Sequence, residues 1–162
     1  MLRAMFLWSC LVVPWLTLFA MDKKLVRHYL PAALFITLIN TIIDQLASYY
    51  QWWIVKDQLF LWSKLDIPII YGLFIVGSMW ILRFTYGKFL WFLVVNAAVD
   101  AFQAFIAAPV FHNTGFISFG NMSQADIFLL MFGFSFILYG FQMWYEGESP
   151  ELLIGRRSKE RT

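Results

Sequence analysis

The chain has 162 residues, of which 61% are hydrophobic and only 14% are charged. Soluble domains are about 45–50% apolar and about 25% charged, because they need a polar surface in contact with water. This composition excludes a soluble globular domain, a disordered chain and a fibrous rod, which leaves an integral membrane protein. The net charge of +2 comes from scattered basic residues, so no nucleic acid is expected as a partner.

Apolar stretches predict an all-α, polytopic membrane protein with five transmembrane helices, because a helix that crosses ~30 Å of hydrocarbon needs about 20 apolar residues. The predicted helices cover about residues 4–21, 29–50, 67–82, 89–110 and 127–145. They form a single domain over residues 1–145, followed by a polar cytoplasmic tail over residues 146–162. The first stretch is expected to be a retained helix; a cleaved signal peptide, or a start at Met21, are the alternatives.

Two prolines are expected near helix ends. Pro31 is predicted in the first turn of the second helix, where its missing N–H is tolerated. Pro109 is predicted to end the fourth helix.

The distribution of lysine and arginine predicts the orientation in the membrane. Loops on the cytoplasmic side carry an excess of these residues. Nine fall on one side of the predicted helices, at Lys23, Lys24, Arg27, Arg83, Lys88, Arg156, Arg157, Lys159 and Arg161. The other side has three, at Arg3, Lys56 and Lys64. The N-terminus is therefore expected outside and the C-terminus in the cytoplasm.

A repeated order of features suggests that the hairpin of helices 2 and 3 is duplicated in helices 4 and 5. An Asn-x-x-x-Asp pair ends at Asp44 in the second helix and at Asp100 in the fourth. A Ser-x-x-Asp-Ile segment begins at Ser63 and again at Ser123, and each is predicted to start a helix with a capping serine and an acid three residues on. Chance matches in a biased sequence are the alternative.

Asp44 and Asp100 lie inside predicted spans, where a carboxylate at the bilayer centre costs about 2.5–3.5 kcal/mol. Other polar residues share their helix faces at steps of three or four residues; these are Thr37, Asn40, Thr41, Asn96 and Gln103. We therefore predict that helices 2 and 4 pack together and that the two acids meet in a shared polar centre. Two carboxylates that close would not both be ionised. Their role would be to hold the helices together, to bind a proton or cation, or to line a pocket for a small ligand or lipid headgroup.

Motifs of catalysis and cofactor binding are not found in the sequence. There is no Gly-x-Ser-x-Gly elbow, His-Glu-x-x-His pair or glycine-rich phosphate loop, and the single cysteine, Cys10, excludes an internal disulfide. We expect no enzymatic activity, no cofactor and no metal site.

The layout resembles that of the CBO0543 family of small polytopic membrane proteins from spore-forming bacteria. The likeness rests on the basic entry Arg27-His28-Tyr29-Leu30-Pro31, the aromatic exit Tyr49-Tyr50-Gln51-Trp52-Trp53 and the acid in the fourth helix. The resemblance implies a bacterial cytoplasmic membrane and carries no assigned activity.

Two functional hypotheses follow. In the first, the protein is a non-enzymatic structural, partner-binding or lipid-binding component, whose partners are membrane lipids, a second copy of the chain or another membrane protein. In the second, it is a small proton- or cation-coupled carrier or channel subunit that uses Asp44 and Asp100.

Overall fold

The computed structural model describes residues 2–56 and 65–147. This part of the chain is helical apart from one two-stranded sheet, so the predicted all-α class is confirmed. In chain order the elements are α1 (Leu2–Thr17, continued by a 3-10 turn at Leu18–Ala20), α2 (Lys23–Tyr49), β1 (Trp53–Val55), α3 (Ile69–Thr85), α4 (Phe89–Asn113), β2 (Ile117–Phe119) and α5 (Gln124–Tyr145).

Four of these helices, α1, α2, α4 and α5, are long and apolar enough to cross a membrane. The remaining helix, α3, is also apolar but shorter. Large apolar side chains stay exposed along the helices, among them Val13, Leu38, Leu90, Phe102 and Leu129. Helices that are apolar on their outer as well as their inner faces are typical of membrane proteins.

Helices α2, α3, α4 and α5 form a closed ring in which each helix packs on two others. Helix α2 packs on α3 and α5, and α4 packs on the same two helices. The centre of the ring is filled by fully buried side chains, including Ile36, Met79, Leu82, Phe92 and Tyr139. Ala32 and Ala33 of α2 are completely buried, and their small side chains allow close approach between helices.

Helix α1 lies outside the ring and packs mainly on the first six residues of α3. This segment, Ile69–Phe74, is π-helical. Such wide turns alter the backbone hydrogen bonding of a helix, and here the carbonyl of Tyr71 accepts a bond from Nε1 of Trp15 at 2.8 Å. The contact is close because Gly72 has no side chain: a Cβ there would overlap the carbonyl oxygen of Cys10.

A short antiparallel sheet joins two connections at one end of the bundle. Strand β1 pairs with β2, with Trp53 opposite Phe119 and Val55 opposite Ile117. The sequence predicts no strand in either connection. Their β-branched and aromatic residues favour strands, but three residues are too few to form a recognisable pattern in the sequence.

Two predicted helix ends are wrong. Helix α2 begins at Lys23, not near residue 29, because Asp22 caps it by accepting a bond from the N–H of Lys24 at 2.9 Å. Pro31 therefore lies inside the helix rather than in its first turn. Pro109 does not end α4, which continues to Asn113; the π-helical turn at Gln103–Ala107 comes just before it and relieves the clash of a proline ring with the preceding turn.

The predicted helix start at Ser123 is confirmed. The Ser123 hydroxyl accepts a bond from the N–H of Asp126 at 3.2 Å, and the Asp126 carboxylate accepts one from the N–H of Ser123 at 3.0 Å. The matching cap at Ser63 lies outside the described residues, as does the tail from residue 148 onward.

Candidate functional site

Asp44 is buried near the end of α2, and both of its carboxylate oxygens accept hydrogen bonds from other elements. Its Oδ1 accepts from Nε1 of Trp53 in β1 at 2.9 Å. Its Oδ2 accepts from the backbone N–H of Asp66, just before α3, at 3.1 Å. One side chain therefore connects α2, β1 and the start of α3, and hydrogen bonds to an ionised group are stronger than those to neutral ones.

Asp66 brings a second carboxylate to the same place. Its side chain is partly buried beside a narrow cleft whose other lining residues are apolar, including Leu7, Val55 and Ile69. The pKa of Asp66 is raised to about 7, mainly because its carboxyl group is buried. The negative charge of the neighbouring Asp44 raises it further in the same direction. Of this pair of acids, Asp66 is therefore mostly neutral below about pH 7.

The predicted meeting of Asp44 with Asp100 is wrong. Helices α2 and α4 do not pack against each other, since they lie across the ring and both contact α3 and α5. Consecutive helices pack as neighbours around the ring, and α5 closes it onto α2, which places α2 and α4 on opposite sides. The partner of Asp44 is Asp66.

Asp100 has a separate environment on α4. Its carboxylate lies beside the hydroxyl of Ser135 in α5. Its Oδ2 is buried and has no hydrogen-bond partner. A buried carboxylate oxygen without a partner is costly in an apolar setting, which makes Asp100 a second candidate site.

The other polar residues predicted at the centre bond mainly within their own helices. Thr37 donates to the carbonyl of Ala33 at 2.6 Å, and Thr41 donates to that of Thr37 at 2.8 Å. Thr41 also lies 3.0 Å from the hydroxyl of Tyr71, which links α2 to α3. A hydroxyl group in a helix commonly donates to the carbonyl one turn earlier in the same helix instead of forming a bond to another helix.

Asn96 and Asp100 share a face of α4, but the amide of Asn96 does not bind the Asp100 carboxylate. Asn96 is buried, and its Nδ2 donates to the carbonyl of Phe92, one turn earlier, at 2.9 Å rather than to Asp100. Asn40 and Gln103 are both half-buried, and Gln103 lies in the π-helical turn. The amide groups therefore do not create a common polar centre.

The proposed duplication is not reflected in the surroundings of the matched acids. Asp44 has partners for both carboxylate oxygens, whereas its counterpart Asp100 does not. Asp66 is partly buried beside Asp44, whereas its counterpart Asp126 is exposed in a capping box. If the hairpins share an origin, the two sites have since diverged.

Sequence reasoning missed Asp66 and Trp53 as site residues. The sequence places Asp66 at a helix start and Trp53 in the aromatic exit of the second helix, and neither pattern predicts a site residue. Within residues 2–56 and 65–147, no group of three His, Cys, Asp or Glu side chains is placed to hold a metal ion.

Comparisons of the chain with protein-family models, with curated proteins and with solved structures found no match. The fold and the site thus define a class: an all-helical protein with four helices able to span a membrane, and with an acid pair at one end of a helical ring.

Proposed function

We propose that the chain is a multi-pass protein of a cell membrane, specifically the cytoplasmic membrane of a bacterium, with five spans, an external N-terminus and a cytoplasmic C-terminus. The short α3 would be the third span. Together with the helical turn that precedes it, residues 67–85 are about 28 Å long at ~1.5 Å per residue, close to the ~30 Å of a bilayer core.

Contacts at the two ends of the bundle support this topology. At one end, Nε2 of His28 lies 2.6 Å from Oε1 of Glu146, so the start of α2 and the end of α5 meet. That end also has Lys23, Lys24 and Arg27. At the other end, Nη2 of Arg3 donates to the carbonyl of Thr114 at 2.7 Å. The more basic end is the one expected in the cytoplasm.

Single cysteines test this orientation in a Cys10→Ser background. Arg3→Cys should react with a membrane-impermeant maleimide on intact cells, and Lys24→Cys should react only after permeabilisation. The reverse labelling pattern would show that the N-terminus is cytoplasmic, contrary to the proposed orientation.

We further propose that the protein has no catalytic activity and acts as a structural component that binds membrane lipid, a second copy or another membrane protein. The observation that carries this is the state of Asp44, whose two carboxylate oxygens are both engaged by donors of its own chain, Trp53 and the N–H of Asp66. An acid used in this way connects elements of the fold and is not left open for a transported ion. The apolar exterior would provide the binding surface.

A small proton- or cation-coupled carrier or channel subunit is the second candidate. Asp100 favours it, because one oxygen of this carboxylate is buried without a partner. A chain of this size would have to assemble with another copy to enclose a pathway.

Flux measurements separate the two functions. Purified protein is reconstituted in sealed vesicles that contain a pH-sensitive dye, and an ion gradient is imposed with an ionophore. If the protein is structural, vesicles that contain it should leak no faster than protein-free vesicles. The Asp44→Asn variant should then be less stable than the wild type. A flux that Asp44→Asn or Asp100→Asn abolishes while the fold remains intact would establish the carrier instead.

A further inference from the structure

A row of polar side chains follows the inner face of α5 from the middle of the helix to its end. Ser135, Tyr139 and Gln142 are almost completely buried, and Glu146 follows them just past the helix. Steps of three or four residues keep them on one face, over about 16 Å at ~1.5 Å per residue. We call these four residues the α5 polar row.

The two ends of the row differ in their access to solvent. At the inner end, Ser135 lies beside Asp100 of α4, whose Oδ2 is buried and has no hydrogen-bond partner. At the outer end, Nε2 of Gln142 donates to Oε1 of Glu146 at 2.5 Å, and the same oxygen lies 2.6 Å from His28, whose side chain is 42% exposed. The row therefore connects a half-buried acid with one buried oxygen to a solvent-exposed imidazole.

Two further tyrosines lie beside the middle of the row. The ring of Tyr139 lies 5.4 Å from that of Tyr86, which lies 6.1 Å from that of Tyr29. Tyr29 is in turn close enough to Glu146 to sense its charge. The Oε1 of Gln142 is buried with no partner and provides an acceptor for a bridging water.

We propose that Asp100 is a proton-binding site and that the α5 polar row conducts its proton to and from the solvent at His28. In the uptake step, a hydronium ion at His28 loses a proton, the hydroxyl groups and bridging waters relay one proton inward, and the Asp100 carboxylate becomes a neutral carboxylic acid. Release is the reverse of uptake, and no electrons are transferred. Gln142 orients water and does not itself carry the proton.

The surroundings of Asp100 support proton binding over binding of a metal cation. In the described part of the chain, its carboxylate interacts with the Ser135 hydroxyl and with no charged side chain. A metal cation needs several oxygen ligands, whereas a proton needs only the unpartnered oxygen. The inference rests on the membrane placement proposed above but not on transport, because a proton that enters and leaves from one side produces no flux across the bilayer.

Infrared spectroscopy of the full chain in lipid bilayers tests the proposal. The C=O band of a protonated carboxyl in an apolar setting is identified by its loss in Asp100→Asn. After transfer from H2O to D2O, the isotope shift of this band reports how quickly the Asp100 proton exchanges. Tyr139→Phe keeps the ring packing and removes the hydroxyl; we expect exchange slowed about tenfold, as for the loss of ~1.4 kcal/mol of hydrogen bonding in the path.

Two further variants complete the test. Gln142→Leu should slow the exchange as Tyr139→Phe does, while Leu138→Met, an apolar exchange on the same buried face, should leave it unchanged. Thermal unfolding of each variant checks that the bundle is intact. Absence of the Asp100 band between pH 4 and 8, or equal exchange rates in wild type, Tyr139→Phe and Gln142→Leu, would overturn the proposal. Neither result would affect the flux test of the proposed function.

Discussion

Asp44 and Asp66 lie against each other at one end of the helical ring, where Oδ2 of Asp44 accepts a hydrogen bond from the backbone N–H of Asp66 at 3.1 Å. The same contact fixes the entry of the chain into α3 and brings two carboxyl groups together. Asp100, the other acid predicted within the membrane, is housed separately beside Ser135. The two acid sites therefore differ in chemistry. Both carboxylate oxygens of Asp44 accept hydrogen bonds that connect elements of the fold, whereas one oxygen of Asp100 has no hydrogen-bond partner.

Replacing Asp44 tests its structural role. Asp44→Asn keeps the size of the side chain but leaves one oxygen to serve two donors, the Trp53 indole and the N–H of Asp66. We expect the free energy of unfolding to fall by about 1–3 kcal/mol, the cost of a buried donor left without its acceptor. Unfolding in detergent micelles with increasing denaturant measures it. Gln45→Ala, at the exposed neighbouring position, should change stability by no more than ~0.5 kcal/mol; equal losses in both variants would contradict the role.

The raised pKa of Asp66 makes stability depend on pH. An unfolded chain loses this proton near pH 3.9, whereas the folded protein keeps it to about pH 7. The stability that this group contributes is therefore complete below about pH 4, decreases as the pH rises to about 7 and is level above that. Denaturant unfolding of wild type and Asp66→Asn across this range should give a difference that follows this course. Parallel pH profiles would show that Asp66 has an ordinary pKa.

The pH dependence of stability should change when the negative charge of Asp44 is removed. In Asp44→Asn the negative charge beside Asp66 is gone, so the pKa of Asp66 should decrease and the loss of stability should end at a lower pH. An unshifted profile would mean that burial alone sets this pKa.

The close contact between α1 and α3 predicts opposite effects at two glycines of α3. Gly72→Ala would push a methyl group into the carbonyl of Cys10, and we expect a loss of about 1–3 kcal/mol as α1 shifts away. Gly77→Ala has open space around the new methyl group and should be neutral or stabilising by up to ~1 kcal/mol, because alanine favours a helix. Thermal unfolding of both variants checks this. Equal behaviour would show that α1 is not packed at Gly72.

The sequence alone predicts the helices well but does not predict which residues form the site. Runs of apolar residues predicted where helices lie in the described part of the chain, and four of these helices are long and apolar enough to cross a membrane. Such runs are easily recognised because about 20 apolar residues are needed to cross a bilayer. The cap at Ser123 was predictable for the same local reason, since both partners lie within one helical turn.

Partners distant in the sequence were not predictable in this way. That Asp44 would contact Asp66 rather than Asp100 depends on which helices become neighbours in the ring, and the matching Asn-x-x-x-Asp pairs suggested a symmetry that the packing does not have. Trp53 reaches the site because it lies in the three-residue strand β1. The pairing of β1 with β2 joins residues far apart in the sequence, so a local sequence pattern does not predict it.

Double-mutant cycles test the central claim most directly, since they measure which acid is coupled to Asp44. Unfolding free energies are needed for Asp44→Asn, Asp66→Asn, Asp100→Asn and the two double variants that contain Asp44→Asn. Groups in contact show coupling energies of about 0.5–3 kcal/mol, whereas distant groups add to within ~0.3–0.5 kcal/mol. We predict coupling in the first range between Asp44 and Asp66, and additivity between Asp44 and Asp100. Additive effects for the first pair, with coupling for the second, would contradict the account.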